Sequence, residues 1–181
     1  MSVTRQYKVY YGIFLNHWSD TWGGITYNEI LVKEYPNEYL SAVSNSMVSD
    51  ITFMYPSLYK NRYYLDGTLE GHLSIYNDSS TVTYTVTGYT IELRKTDDVP
   101  SNETVVGSYT GSLSANNTVV PEDYLTLPIY MNISKQLVEP NERLLLHMTF
   151  IGSDYTHLGF SHWNDSSIPD LKIKIPYAPQ G

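Results

Sequence analysis

No cysteine occurs among the 181 residues. Disulfides, thiolate zinc sites, iron–sulfur clusters and cysteine nucleophiles are therefore excluded together. Basic residues are scarce: 11 Lys and Arg stand against 19 Asp and Glu, a formal net charge of −8. So thin and scattered a set of bases is a poor match for a phosphate backbone, and no nucleic-acid partner is expected. No apolar run approaches the roughly 18 residues of a membrane span. Residues 1–15 lack an uninterrupted apolar stretch followed by a small-residue cleavage site, so no signal peptide is expected. The nucleophile elbow, the zinc-protease helix motif, the phosphate loop and the dinucleotide fingerprint are all missing. Asp20, Asp154 and Asp165 lie near tryptophans, but nothing in their spacing marks a carboxylate pair for glycoside hydrolysis. The expectation is a protein that is not an enzyme and holds no cofactor.

What is present is a period of two. Leu69, Leu73 and Ile75 share a face with Gly71, against Glu70, His72 and Ser74. Val82, Tyr84 and Val86 alternate with threonines, whereas Tyr89, Ile91 and Leu93 have the opposite parity. A slip of one residue turns a strand inside out, so Gly88 is expected to be a bulge in one long, bent strand. Leu125, Leu127, Ile129, Met131 and Ile133 form another face, with Pro128 opposite. Proline cannot donate to a ladder, which places that strand at an edge or a bulge. Leu144, Leu146, Met148 and Phe150 follow, then Leu171, Ile173 and Ile175. Polar turn clusters separate these runs. The expected class is all-β, an antiparallel β-sandwich of jelly-roll type.

Residues 1–65 read differently, as N-terminal strands and a Tyr-rich extension packed on a sandwich of residues 66–181, with a loose boundary at Asp66-Gly67. Residues 9–15 are nearly all apolar or aromatic and read as a strand buried on both faces. Residues 25–33 read as a second strand, reached through a loop or wide hairpin carrying Trp18 and Trp22. Residues 36–50 hold the one short helix, with Tyr39, Leu40, Val43 and Met47 at helical spacing.

His157 and His162 form the one cluster resembling a ligand set, but no metal-binding motif surrounds them and no metal is expected. The acidic turns Asn77-Asp78 and Asp97-Asp98 match no calcium-loop pattern. Aromatic usage is more telling: 18 tyrosines against 4 phenylalanines. A core needs no hydroxyl on its rings, whereas tyrosine suits places with one dry and one wet end. Tyr55, Tyr59, Tyr63 and Tyr64 are the candidate contact surface for other subunits, the alternative being tyrosines that line the rim of the chain's own core. Trp18, Trp22 and Trp163 are the candidate platform for a glycan.

Three stretches carry a resemblance: Leu-Glu-Gly-His-Leu-Ser-Ile-Tyr-Asn-Asp-Ser-Ser from Leu69, Leu-Thr-Leu-Pro-Ile-Tyr-Met-Asn-Ile from Leu125, and Val-Glu-Pro-Asn-Glu-Arg-Leu-Leu-Leu-His-Met-Thr-Phe from Val138. Together they resemble the small β-sandwich and jelly-roll virion proteins of tailed phages and similar viruses. The resemblance covers about the last three-fifths of the chain and carries no catalytic residues. It implies a capsid decoration, minor capsid, tail or fibre subunit, made in the host cytoplasm. It also implies partners among other virion proteins and further copies of itself, with a glycan as a candidate ligand.

Overall fold

A computed structural model of the chain describes residues 6–14, 20–22, 25–27, 29–33, 50–55, 59–77, 80–97, 99–112, 118–121, 123–152, 158–159 and 171–178. Nearly all of them are antiparallel β. The strands are β1 (Gln6–Phe14), β2 (Asp20–Trp22), β3 (Ile25–Tyr27), β4 (Glu29–Val32), β5 (Asp50–Met54), β6 (Tyr63–Asn77) and β7 (Tyr84–Thr96). They continue with β8 (Thr104–Ser112), β9 (Thr118–Val119), β10 (Tyr124–Val138), β11 (Arg143–Gly152), β12 (Leu158–Gly159) and β13 (Leu171–Ala178). Among the described residues the one helical element is a 3₁₀ turn at Pro100–Asn102. Of residues 36–50, where the sequence predicts a helix, 36–49 lie outside the described residues and Asp50 opens strand β5.

The ladder runs β10-β6-β13-β1-β4-β5-β11-β7-β8 and folds into two packed layers. A single parallel bridge, Ile30 to Met54, joins β4 to β5 where the layers meet. At the other margin the two ends of the ladder lie face to face. Gly107 of β8 has no side chain, and one there would press on Ile133 and Met131 of β10. Between the layers sit the residues the alternation nominated, among them Leu69, Leu73, Ile91, Leu93, Leu146 and Ile173, all fully buried. Each buried leucine or isoleucine contributes about 1.5–3 kcal/mol relative to exposure.

Two sequence punctuation marks act as foreseen. Against β11, Gly88 faces Ile151 while Val86 faces Gly152, so β7 carries one extra residue there and the inward parity switches from Val86 to Tyr89. Pro128 lies on β10, which is the edge of its layer. Other details differ. Val82 precedes β7 and is exposed, because the strand starts only at Tyr84. The 25–33 run is broken into β3 and β4, and β3 pairs back on β2 as a hairpin. In the 9–15 run, predicted to be buried on both faces, Tyr10 is buried but Val9 and Tyr11 are only half-buried, because the outer face of this layer is open there; Tyr7, just before the run, is exposed.

Asp66-Gly67 lies within β6. Gly67 has φ 124°, a conformation that favours glycine, and it sits where β10 changes register between Ile133 and Gln136. The N-terminal strand β1 pairs with the C-terminal strand β13 from Gln6–Tyr177 to Tyr11–Lys172. The first strand of the chain is thus an interior strand of the sandwich.

Candidate functional site

The β1–β13 pairing has a local consequence. It sets Tyr10 and Tyr177 on the same inward face, toward the end of the core where the chain passes Tyr55, Tyr59 and Tyr63. The Tyr10 hydroxyl lies 2.7 Å from those of both Tyr59 and Tyr177, and these two lie 3.0 Å apart. Three hydroxyls at mutual hydrogen-bond distance form a closed ring, each donating one bond and accepting one. The aromatic rings pack around it: Tyr10 meets Tyr55 edge-on at 5.3 Å, Tyr59 meets Tyr63 at 4.4 Å, and Tyr63 meets Tyr177 at 5.0 Å.

Of the four tyrosines proposed from sequence as a contact surface, Tyr55, Tyr59 and Tyr63 therefore pack on this chain's own core. Tyr64 has the opposite parity and lies on the outer face, with the Lys135 ammonium 4.3 Å from its ring centre. Trp18 and Trp163 lie outside the described residues, and Trp22 is described only as backbone paired with Ile25.

Burial dominates the ionisation of the cluster. It pushes the hydroxyls of Tyr10, Tyr59, Tyr63 and Tyr177 above the ordinary phenol range. Two lysines guard the rim. The Lys8 ammonium lies 4.4 Å from the Tyr177 ring centre, and burial followed by repulsion from Lys33 lowers its pKa. Hydrogen bonding to Tyr55 raises that of Lys33.

The outer face of the β10-β6-β13-β1 layer has a different character. Registered pairing lines up Pro128, His72, Lys172 and Tyr11 in one row, and Tyr130, Glu70, Lys174 and Val9 in the next. Tyr130 is 52% exposed on β10, and Tyr7 is 46% exposed on β1. The Lys174 ammonium lies 5.3 Å from the Tyr7 ring centre. Sequence reasoning missed this surface. Its signal was the set of residues out of phase with the core: Tyr130 among isoleucines and methionine, and Lys172 and Lys174 among Leu171, Ile173 and Ile175.

On the opposite layer, Glu92 and Glu103 both bind the Arg94 guanidinium, and His147 Nδ1 lies 3.7 Å from the Glu92 carboxylate. With Glu92 already engaged by arginine, this is a charge network on a sheet face, partly shielded from water. Of the candidate calcium turns, Asp78 and Asp98 lie outside the described residues, and Asn77 and Asp97 are engaged by their own chain. The Asp97 carboxylate accepts bonds from the Val99 amide and the Asn102 side chain, which hold its pKa below the usual range. The Asn77 side chain is buried and donates to the Val82 and Val119 carbonyls. Among the described residues no group of three or more His, Asp or Glu could hold a metal. His157 and His162 lie outside the described residues as a functional pair: 157 and 162 are both undescribed.

No family model matches the sequence, and no curated protein matches it. Solved structures do share the fold. Two crystal structures of a CocE/NonD family hydrolase from Staphylococcus aureus align over 97% and 94% of this chain, with TM-scores of 0.52 and 0.50. Sequence identity is 13% and 14%. The chain spans only about a third of those proteins, 35% and 36% of their lengths. The expectation that the chain is not an enzyme is corrected by this finding. Its fold occurs within hydrolases, so the missing motifs do not set it apart from enzymes. The likeness is one of fold: a two-layer β-sandwich of the kind those hydrolases contain.

Proposed function

We propose that the chain is a structural and recognition subunit, a rigid β-sandwich that contributes one broad sheet face to a larger assembly. The observation that carries this reading is the contrast between a sealed interior and the outer face of the β10-β6-β13-β1 layer. The tyrosine ring fixes one end of the core, while Tyr7 stands large and exposed beside Lys174 and Tyr130 beside Glu70. Exposed tyrosines on a rigid sheet are suited to binding, because little side-chain entropy is lost when they are covered. The sequence resemblance gives a virion as the assembly. The fold gives a second setting, the β-sandwich portion of a hydrolytic assembly, favoured by the alignment to a third of a CocE/NonD hydrolase.

Sedimentation velocity over a wide concentration range, followed by co-purification with particle components of the source, tests the first setting. Self-association or retention on particles is expected. A chain that stays monomeric and passes through every particle fraction removes it. Turnover of short-chain nitrophenyl esters would move the reading to the hydrolytic setting.

A further inference from the structure

We infer that the outer face of the β10-β6-β13-β1 layer binds a carboxylated polysaccharide, a polymer bearing uronate groups. The inference rests on reading this face as the recognition surface and adds the chemistry of what it recognises. Its centre holds Lys172, Lys174 and His72 with Glu70, and its margins carry the exposed rings of Tyr130 and Tyr7.

The position of the charges selects the ligand. Protein interfaces are depleted of lysine and glutamate at their centres, whereas here lysines and a glutamate occupy the middle. A hydrated, polar ligand suits such a surface better than an apolar protein patch. Two neighbouring lysines on a chain of net charge −8 make a local attraction for anions inside a repulsive field. That combination disfavours a polymer as densely charged as nucleic acid. It suits one that carries a single carboxylate on each sugar ring, set farther apart than the phosphates of a duplex. Each carboxylate accepts a charge-assisted bond from a lysine, and the C–H face of a sugar ring lies on an exposed tyrosine while its hydroxyls stay wet. From β10 to β1 the face is three strand spacings wide, roughly 14 Å. The two tyrosines thus bracket the lysines along the path of an extended chain.

Affinity electrophoresis of the whole chain through gels containing polygalacturonate or alginate tests this, with dextran and methyl-esterified pectin as controls. Retardation on at least one acidic polymer is expected, lost on esterification and weakened by added salt. Lys172→Ala with Lys174→Ala, and separately Tyr7→Ala with Tyr130→Ala, should each weaken binding about tenfold or more. Arg62→Ala, on the exposed Arg62–Glu139 pair, should leave binding unchanged. Far-UV circular dichroism shows that each variant is folded. No retardation on either acidic polymer overturns the inference, as does retardation that survives both double substitutions or esterification. Self-association lost in the lysine variant without any polysaccharide binding also overturns it, while leaving the assembly reading intact.

Discussion

The two ends of one core are built from different materials. Across the middle, Leu69, Leu73, Leu93, Leu146 and Ile173 are fully buried and make only dispersion and solvent-exclusion contacts. Toward the end lined by Tyr55 and Tyr59, five tyrosines fill the space and three of their hydroxyls satisfy one another. An aliphatic core tolerates a change of pH. A tyrosine core does not, because its hydroxyls must stay protonated to remain inside. The largest expected effect follows from that difference. Tyr10, Tyr59 and Tyr177 have folded pKa values raised by burial, while the unfolded chain releases those protons near pH 10. Stability is thus fully present below pH 10 and falls above it, because only the unfolded state gains by ionising. These three hydroxyls and that of Tyr63, which burial raises likewise, together predict a loss of roughly 5 kcal/mol per pH unit in that range, about 4 of it from the three. Urea unfolding at a series of alkaline pH values measures the slope. A Tyr10→Phe, Tyr59→Phe, Tyr177→Phe variant should flatten it, and an unchanged slope would break the comparison.

Truncation sharpens the contrast at neutral pH. Leu146→Ala in the aliphatic middle should cost about 2–5 kcal/mol, since a close-packed site collapses only in part. Tyr177→Phe keeps the ring and its packing but opens the hydroxyl cycle, and about 1–2 kcal/mol is expected. The triple phenylalanine variant should lose less than the sum of the three single changes, because it leaves none of the three ring hydroxyls facing a missing partner. Denaturant midpoints for the single and triple variants decide this. Strict additivity would mean the three hydroxyls do not act as a cycle.

The aliphatic half was legible in the sequence, and the tyrosine half was not. Alternation of period two marks which residues of β6, β7, β10, β11 and β13 face inward, since each strand carries its own signal. Gly88 announced its bulge because the parity reverses on either side of it. Pro128 announced an edge because proline lacks the amide a central strand must donate. The tyrosine ring has no such local mark. Tyr10 and Tyr177 are 167 positions apart and meet only because β1 pairs with β13. A tyrosine-rich stretch viewed alone is equally consistent with a wet rim and a sealed plug. The rows on the outer face depend likewise on register: Tyr130, Glu70, Lys174 and Val9 come from four strands, and no single strand shows them as neighbours.

The smallest effect concerns the turn that supports the tyrosine end. Asn141 has φ 71° there, its amide donates to the Tyr59 carbonyl, and the Tyr59 amide donates to the Glu142 carbonyl. Two ion pairs flank the turn, and they differ in shielding. Glu142 is 18% exposed in its side chain; it receives the Lys95 ammonium at 3.1 Å and the Glu139 amide at 2.7 Å. Arg62 and Glu139 are 54% and 41% exposed. Water and salt screen the outer pair, so Arg62→Ala should change stability by no more than about 0.5 kcal/mol. Glu142→Gln should cost about 1–2 kcal/mol, because it weakens a charge-assisted bond to a turn amide as well as an ion pair. Thermal unfolding at low and high salt separates the two, with the small Arg62 effect vanishing in high salt and the Glu142 effect largely persisting. Equal costs would mean that exposure does not govern these pairs and that the turn is held by its backbone bonds alone.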